Sequence, residues 1–129
     1  MLSQGLRTVI YHVPDLAKAK AWYSAAFGVL PYFDEPFYVG FNINGYELGL
    51  DPDMTAVQPG SNVEAYWAVQ NADAAFKSLL EKGATIFKEV QEVGQSIYVG
   101  MVKDPFGNTI GIIENGHFQS DKNSLSAKL

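Results

Sequence analysis

The sequence predicts an α+β fold: two βαβββ modules that form a curved mixed sheet, a half-barrel, with the helices on the outside. Three observations predict it. The order strand, helix, strand, strand, strand occurs twice, with a period of about 55 to 60 residues. Each of the two helical stretches carries one apolar stripe at helical spacing. The remaining stretches are β-branched and aromatic and are bounded by turn residues. One helix can cover only one face of a four-stranded sheet, so the other face must bury or enclose something. Two such sheets side by side give a concave inner face. The modules span about 5–51 and 62–115 of a single domain, and 116–129 is a polar C-terminal tail.

Each element has a local cause. Leu6 to Val13, "LRTVIYHV", is a strand that Pro14 stops. Asp15 caps a helix in which Leu16, Ala19, Trp22, Tyr23, Ala26 and Phe27 share a stripe, and Gly28 ends it. The stretch 31–51 reads as short strands, with Asn44-Gly45 as a hairpin turn. Pro52 to Ser61 is the linker. Val63 to Gln70 opens the second module. Asn71 or Asp73 caps its helix, where Ala75, Phe76, Leu79 and Leu80 form the stripe, and Gly83 ends it. "ATIFKEV", "QSIYVGMVKD" and "NTIGIIEN" are the last three strands. The Gly111 in "TIGII" is unexpected, because glycine packs nothing and weakens a strand.

Composition narrows the function. The chain has 129 residues, 47 % hydrophobic and 18 % charged, an ordinary globular balance. Its net charge of −5 repels phosphate backbones, so nucleic acid is not an expected partner. There is no cysteine, which removes disulfides, thiolate metal sites and cysteine nucleophiles together. The start, "MLSQGLRTVIYHV", lacks a basic region followed by a long apolar core, and no apolar run is long enough to span a membrane. A cytoplasmic protein without a membrane partner is expected. No nucleophile elbow, phosphate loop or dinucleotide fingerprint is present.

Three stretches carry a resemblance. "VPDLAKAKAWYSAAFG", "VQNADAAFKSLLEKGA" and "VKDPFGNTIGIIE" are similar, in this order, to the two helices and the final hairpin of the vicinal oxygen chelate superfamily. That superfamily includes glyoxalase I, bleomycin-resistance and fosfomycin-resistance proteins and extradiol dioxygenases. The resemblance covers most of residues 6 to 114 and implies the fold, not one reaction. The family's enzymes hold a divalent metal through His and Glu side chains on four strands. Carried over strand by strand, those positions are Thr8, Gly49, Glu64 and Gly111. Only Glu64 is a good ligand, so no metal site is expected there, no cofactor is expected, and glyoxalase I activity is not expected. Two readings of the paired glycines stand: open floor where ligands would be, or bulges and close sheet packing.

Strand alternation puts Thr8, Ile10 and His12 on one face. His12 is a candidate acid/base or a hydrogen-bonded wall histidine. Glu64 and Tyr66 should share an inward face, with Glu64 a candidate general base, a holder of a cationic ligand, or a solvated carboxylate. Trp67 should face the helix. Glu47 lies on the face of Gly49, with Asp51 at the rim, both expected to be mainly solvated. Phe106 sits on the last hairpin and overhangs the pocket. Glu114 and His117 are either a metal pair or part of the solvated tail. The candidate ligand-binding set is therefore Thr8, His12, Glu47, Gly49, Glu64, Tyr66, Phe106 and Gly111. It points to a metal-free binding protein similar to the bleomycin-resistance branch, taking an aromatic or cationic small molecule. The alternative is a superfamily lyase, isomerase or dioxygenase with a non-standard metal site or a metal-free mechanism. The resemblance also implies a homodimer.

Overall fold

Pro14 and Asp15 divide the first strand from the first helix in the computed structural model, which describes residues 1–58, 60 and 62–117. Strand β1 is Thr8–His12 and helix α1 is Leu16–Phe27. The Asp15 carboxylate accepts the Lys18 N–H at 3.1 Å, which satisfies a donor that the first helical turn leaves open. Gly28 ends the helix at φ +66°, the left-handed region that favours glycine. Strands β2 (Phe33–Glu35), β3 (Tyr38–Ile43) and β4 (Tyr46–Asp51) follow. Asn44 and Gly45 both have positive φ, as a two-residue hairpin turn that matches strand twist requires.

The first sheet has the order β1-β4-β3-β2, with β1 parallel to β4 and the other pairs antiparallel. Alternation sorts its two faces. Tyr11, Val13, Val39, Phe41, Leu48 and Leu50 are buried, and α1 packs on β3 and β4 with Ala19 and Tyr23 buried. Tyr11 and Tyr23 stack with centroids 5.7 Å apart. The opposite face carries Thr8, Ile10 and His12 beside Glu47, Gly49 and Asp51, which are their register partners. Tyr38, Gly40 and Asn42 of β3 complete it.

The second module repeats the plan with β5 (Tyr66–Ala68), α2 (Ala72–Glu81), β6 (Thr85–Glu92), β7 (Tyr98–Lys103) and β8 (Thr109–Glu114). Its sheet order is β5-β8-β7-β6. Of the two N-cap candidates, Asn71 takes the role and accepts the Ala74 N–H at 2.9 Å. Phe76 and Leu79 are buried, with Ala72 one turn earlier. β5 is shorter than the sequence suggests. Among the described residues it pairs with β8 alone, through three rungs, and Val63 and Glu64 precede the strand and are exposed. The chain divides into two compact units, Met1–Val63 and Glu64–Leu129. Within the linker, Pro59 and Ser61 lie outside the described residues, as does the polar tail from 118 onward. Among the described residues no helix is long and apolar enough to cross a membrane.

Candidate functional site

Rung by rung, the two modules place their unexpected glycines alike. Gly49 pairs with Ile10 of β1, and Gly111 pairs with Tyr66 of β5; β1 and β5 are the first strands of their modules. Register runs unbroken through both glycines, and the shifts occur only between β6 and β7. Neither glycine marks a bulge. Each lies under a tyrosine. A Cβ on Gly49 would overlap the Tyr38 hydroxyl and come within 2.6 Å of its Cζ. A Cβ on Gly111 would stand 2.7 Å from Cδ1 of Tyr66 and 2.5 Å from the Ala65 carbonyl oxygen. The space where a ligand side chain would stand is filled by a phenol in each module. The open-floor reading gives way to close packing.

In the first module the phenols converge on one acid. Glu47 is half-buried, and its Oε1 accepts the Thr8 hydroxyl at 2.9 Å. Its Oε2 accepts the Tyr32 hydroxyl. Burial first, then the charge of Glu47 and a hydrogen bond to it, pushes the Tyr38 phenol up to about 12. The hydrogen bond to Glu47 likewise raises Tyr32. At neutral pH both phenols therefore keep their protons and donate to the acid. Sequence reasoning treats Glu47 as a mainly solvated residue; three hydroxyl side chains organise it instead. Gly40 permits this, because a Cβ there would meet Glu47 Oε2 at 2.8 Å and the Tyr32 ring at 3.0 Å. The rings continue outward through Phe33 and Phe37, 6.0 Å apart and edge to face. Tyr32 and Phe37 are about two-thirds exposed, at 64 % and 66 %.

In the second module Glu64 receives the Tyr66 hydroxyl at 2.9 Å and the Lys88 ammonium at 3.1 Å. The Tyr66 hydrogen bond, then Lys88, lowers the Glu64 carboxyl below its ordinary range. A general base needs the opposite shift. Burial and then Glu64 raise the Tyr66 phenol. Tyr66 lies on the face opposite α2. Trp67, one residue on, pairs with Ile112 on the helix side.

The other candidates have partners of their own within their modules. The Nδ1 of His12 is 2.7 Å from the Asp53 carbonyl oxygen. His12 sits at the far end of β1 from Thr8, about 13 Å along the strand. Phe106 is half-buried on the β7–β8 turn, and its N–H donates to Asp104 at 2.8 Å. Glu114 accepts the Ala72 N–H at the start of α2, while His117 Nε2 meets the Gln95 carbonyl oxygen at 2.8 Å. Each is engaged with a different partner, not with the other as a metal pair would be.

This donor set does not fit a divalent ion. Thr8, Gly49 and Gly111 supply no carboxylate or imidazole. Glu64 already holds a cation of the chain's own, and Glu47 is engaged by hydroxyl donors. Among the described residues no three His, Asp or Glu side chains gather as a metal site requires.

Residues 5–112 match the sequence model of the Glyoxalase/Bleomycin resistance protein/Dioxygenase superfamily. The chain belongs to that superfamily. Solved structures of the superfamily share the fold at low identity. A glyoxalase-related enzyme from Fulvimarina pelagi aligns with TM-score 0.73 at 22 % identity, over 88 % of this chain and 89 % of that one. A member from Sphaerobacter thermophilus DSM 20745 aligns with TM-score 0.72 at 21 %, over 89 % and 100 %. Lactoylglutathione lyase from Agrobacterium tumefaciens aligns with TM-score 0.67 at 16 %, over 91 % and 99 %. No curated protein matches the chain.

Proposed function

We propose that this superfamily member is a cytoplasmic small-molecule-binding protein without the usual metal centre, similar in role to the bleomycin-resistance branch. One observation carries the reading. In both modules a tyrosine over a glycine fills the space of a ligand side chain, with a carboxylate as its partner. The first module's face then offers exposed rings beside an acid whose hydrogen-bond partners among the described residues are hydroxyls, a surface suited to an aromatic or cationic guest. Two observations count against the enzymatic alternative. Glu64 is held ionised by Tyr66 and Lys88, and His12 is directed at a backbone carbonyl. A homodimer is part of the proposal.

Metal analysis of the purified protein, paired with thermal unfolding in Ni, Zn, Mn and Fe, tests it. The expected result is metal well below one ion per chain and an unmoved midpoint. A stoichiometric ion that stabilises the fold by several kcal/mol, as binding at about a thousand times Kd would, overturns it.

A further inference from the structure

We propose that a cavity at the β3–β4 hairpin end of the first sheet binds a small aromatic zwitterion, an amino acid with a flat side chain. This rests on the reading that the first module receives a small molecule rather than a metal. The cavity has a volume of about 300 Å³ and is lined by Arg7, Tyr32, Asn42, Gly45, Tyr46 and Glu47. That volume is at the lower limit of ligand sites, which suits a guest of amino-acid size.

Its walls carry both signs of charge, and strand geometry keeps them apart. The Glu47 N–H donates to the Arg7 carbonyl at 2.9 Å, so the two backbones are neighbours. Thr8 is the register partner of Glu47 and shares its face. Arg7, one residue earlier, continues the alternation onto the other face, as Tyr46 does beside Glu47. The two opposite charges thus approach one cavity from the two sides of the sheet end. Arg7 belongs to neither of the two ion pairs formed among the described residues. Its planar guanidinium matches a carboxylate in two-pronged fashion. Glu47 spends acceptor sites on Thr8, Tyr32 and Tyr38, and an ionised carboxylate has about four. The remainder can take an ammonium. Tyr32 and Tyr46 also line the cavity and supply flat apolar surface.

The test is an NMR titration of the whole chain with three probes that share one ring. Phenylalanine carries both charges, phenethylamine only the cation, and 3-phenylpropionate only the anion. Saturable shifts with phenylalanine at the Asn42, Gly45 and Tyr46 amides are expected, with each single-charge analogue at least about tenfold weaker, as loss of a charged hydrogen bond implies. Arg7→Gln and Glu47→Gln should each weaken phenylalanine by a similar factor, and Arg7→Gln should leave phenethylamine unchanged. No saturation with phenylalanine, or a single-charge analogue binding as tightly, overturns the proposal. The probe comparison needs only the native protein, so a variant that fails to fold does not blunt it. A failed titration with clean metal analysis removes this site alone. Stoichiometric metal removes the broader reading instead.

Discussion

Gly49 and Gly111 sit in regular strand positions, and neither has a positive φ. Their backbones would accept alanine; their neighbours would not. The two sites differ in what stands in the way. At Gly49 the obstacle is the Tyr38 ring, a side chain that can swing out. Gly49→Ala should therefore cost only about 1 kcal/mol in urea unfolding, the lower end for overpacking. At Gly111 a backbone carbonyl, that of Ala65, stands 2.5 Å from the new carbon. Gly111→Ala should cost about 3 kcal/mol, because the strand itself must shift. Double mutants separate the causes. Adding Tyr38→Ala should cancel the extra cost at Gly49, whereas adding Tyr66→Ala should leave most of it at Gly111. Equal rescue at both sites would mean that the rings alone make these positions glycine.

The element with the clearest sequence signal is the "DPFGN" turn, and it depends on one buried acid. Asp104 is 4 % exposed, and its Oδ1 accepts the Phe106 and Asn108 N–H groups, both at 2.8 Å. Its own N–H closes the turn onto the Asn108 carbonyl at 2.8 Å. Asp104→Ala should lower stability by about 2–3 kcal/mol in chemical denaturation, since buried donors lose a charged acceptor. A loss under about 0.5 kcal/mol, the range of ordinary surface changes, would show that the turn needs no such acceptor. The β3–β4 hairpin was equally legible. A two-residue Asn44-Gly45 turn dictates the pairs Ile43–Tyr46, Asn42–Glu47 and Gly40–Gly49, and the ladder has them. The same register puts Tyr38 on the Glu47 face, diagonal to Gly49, so that tyrosine could have been found from the turn alone. Tyr32 could not. It lies before β2, outside any ladder that alternation governs. Lys88 was hidden for another reason. It lies between the two register shifts of β6, where counting by twos fails.

Across the whole molecule, duplication was readable because both copies kept their helix stripes and final hairpins, while the site residues diverged. Thr8 faces Glu47 in one module, and Glu64 pairs with Lys88 in the other. A shared fold with unshared chemistry explains why the family was legible and the ligand was not. The second module's edge offers a surface for assembly. β6 ends its sheet, seven of its eight residues are exposed, and Ile86, Phe87 and nearby Val93 are 51 %, 39 % and 56 % exposed. Its two register shifts interrupt the ladder, which discourages another strand from extending the sheet. Side-chain packing remains available, and the lysines do not close it off. The ammonium groups of Lys88 and Lys103 stand 5.8 and 5.1 Å from the Phe87 ring centroid, a contact worth only about 0.5–1 kcal/mol at an exposed site. Light scattering after size exclusion should give twice 14.1 kDa, and the double variant Ile86→Glu with Phe87→Glu should give 14.1 kDa with its fold intact by circular dichroism. A native chain that runs as a monomer at high protein concentration would refute the dimer. A variant that stays dimeric would move the interface to another edge.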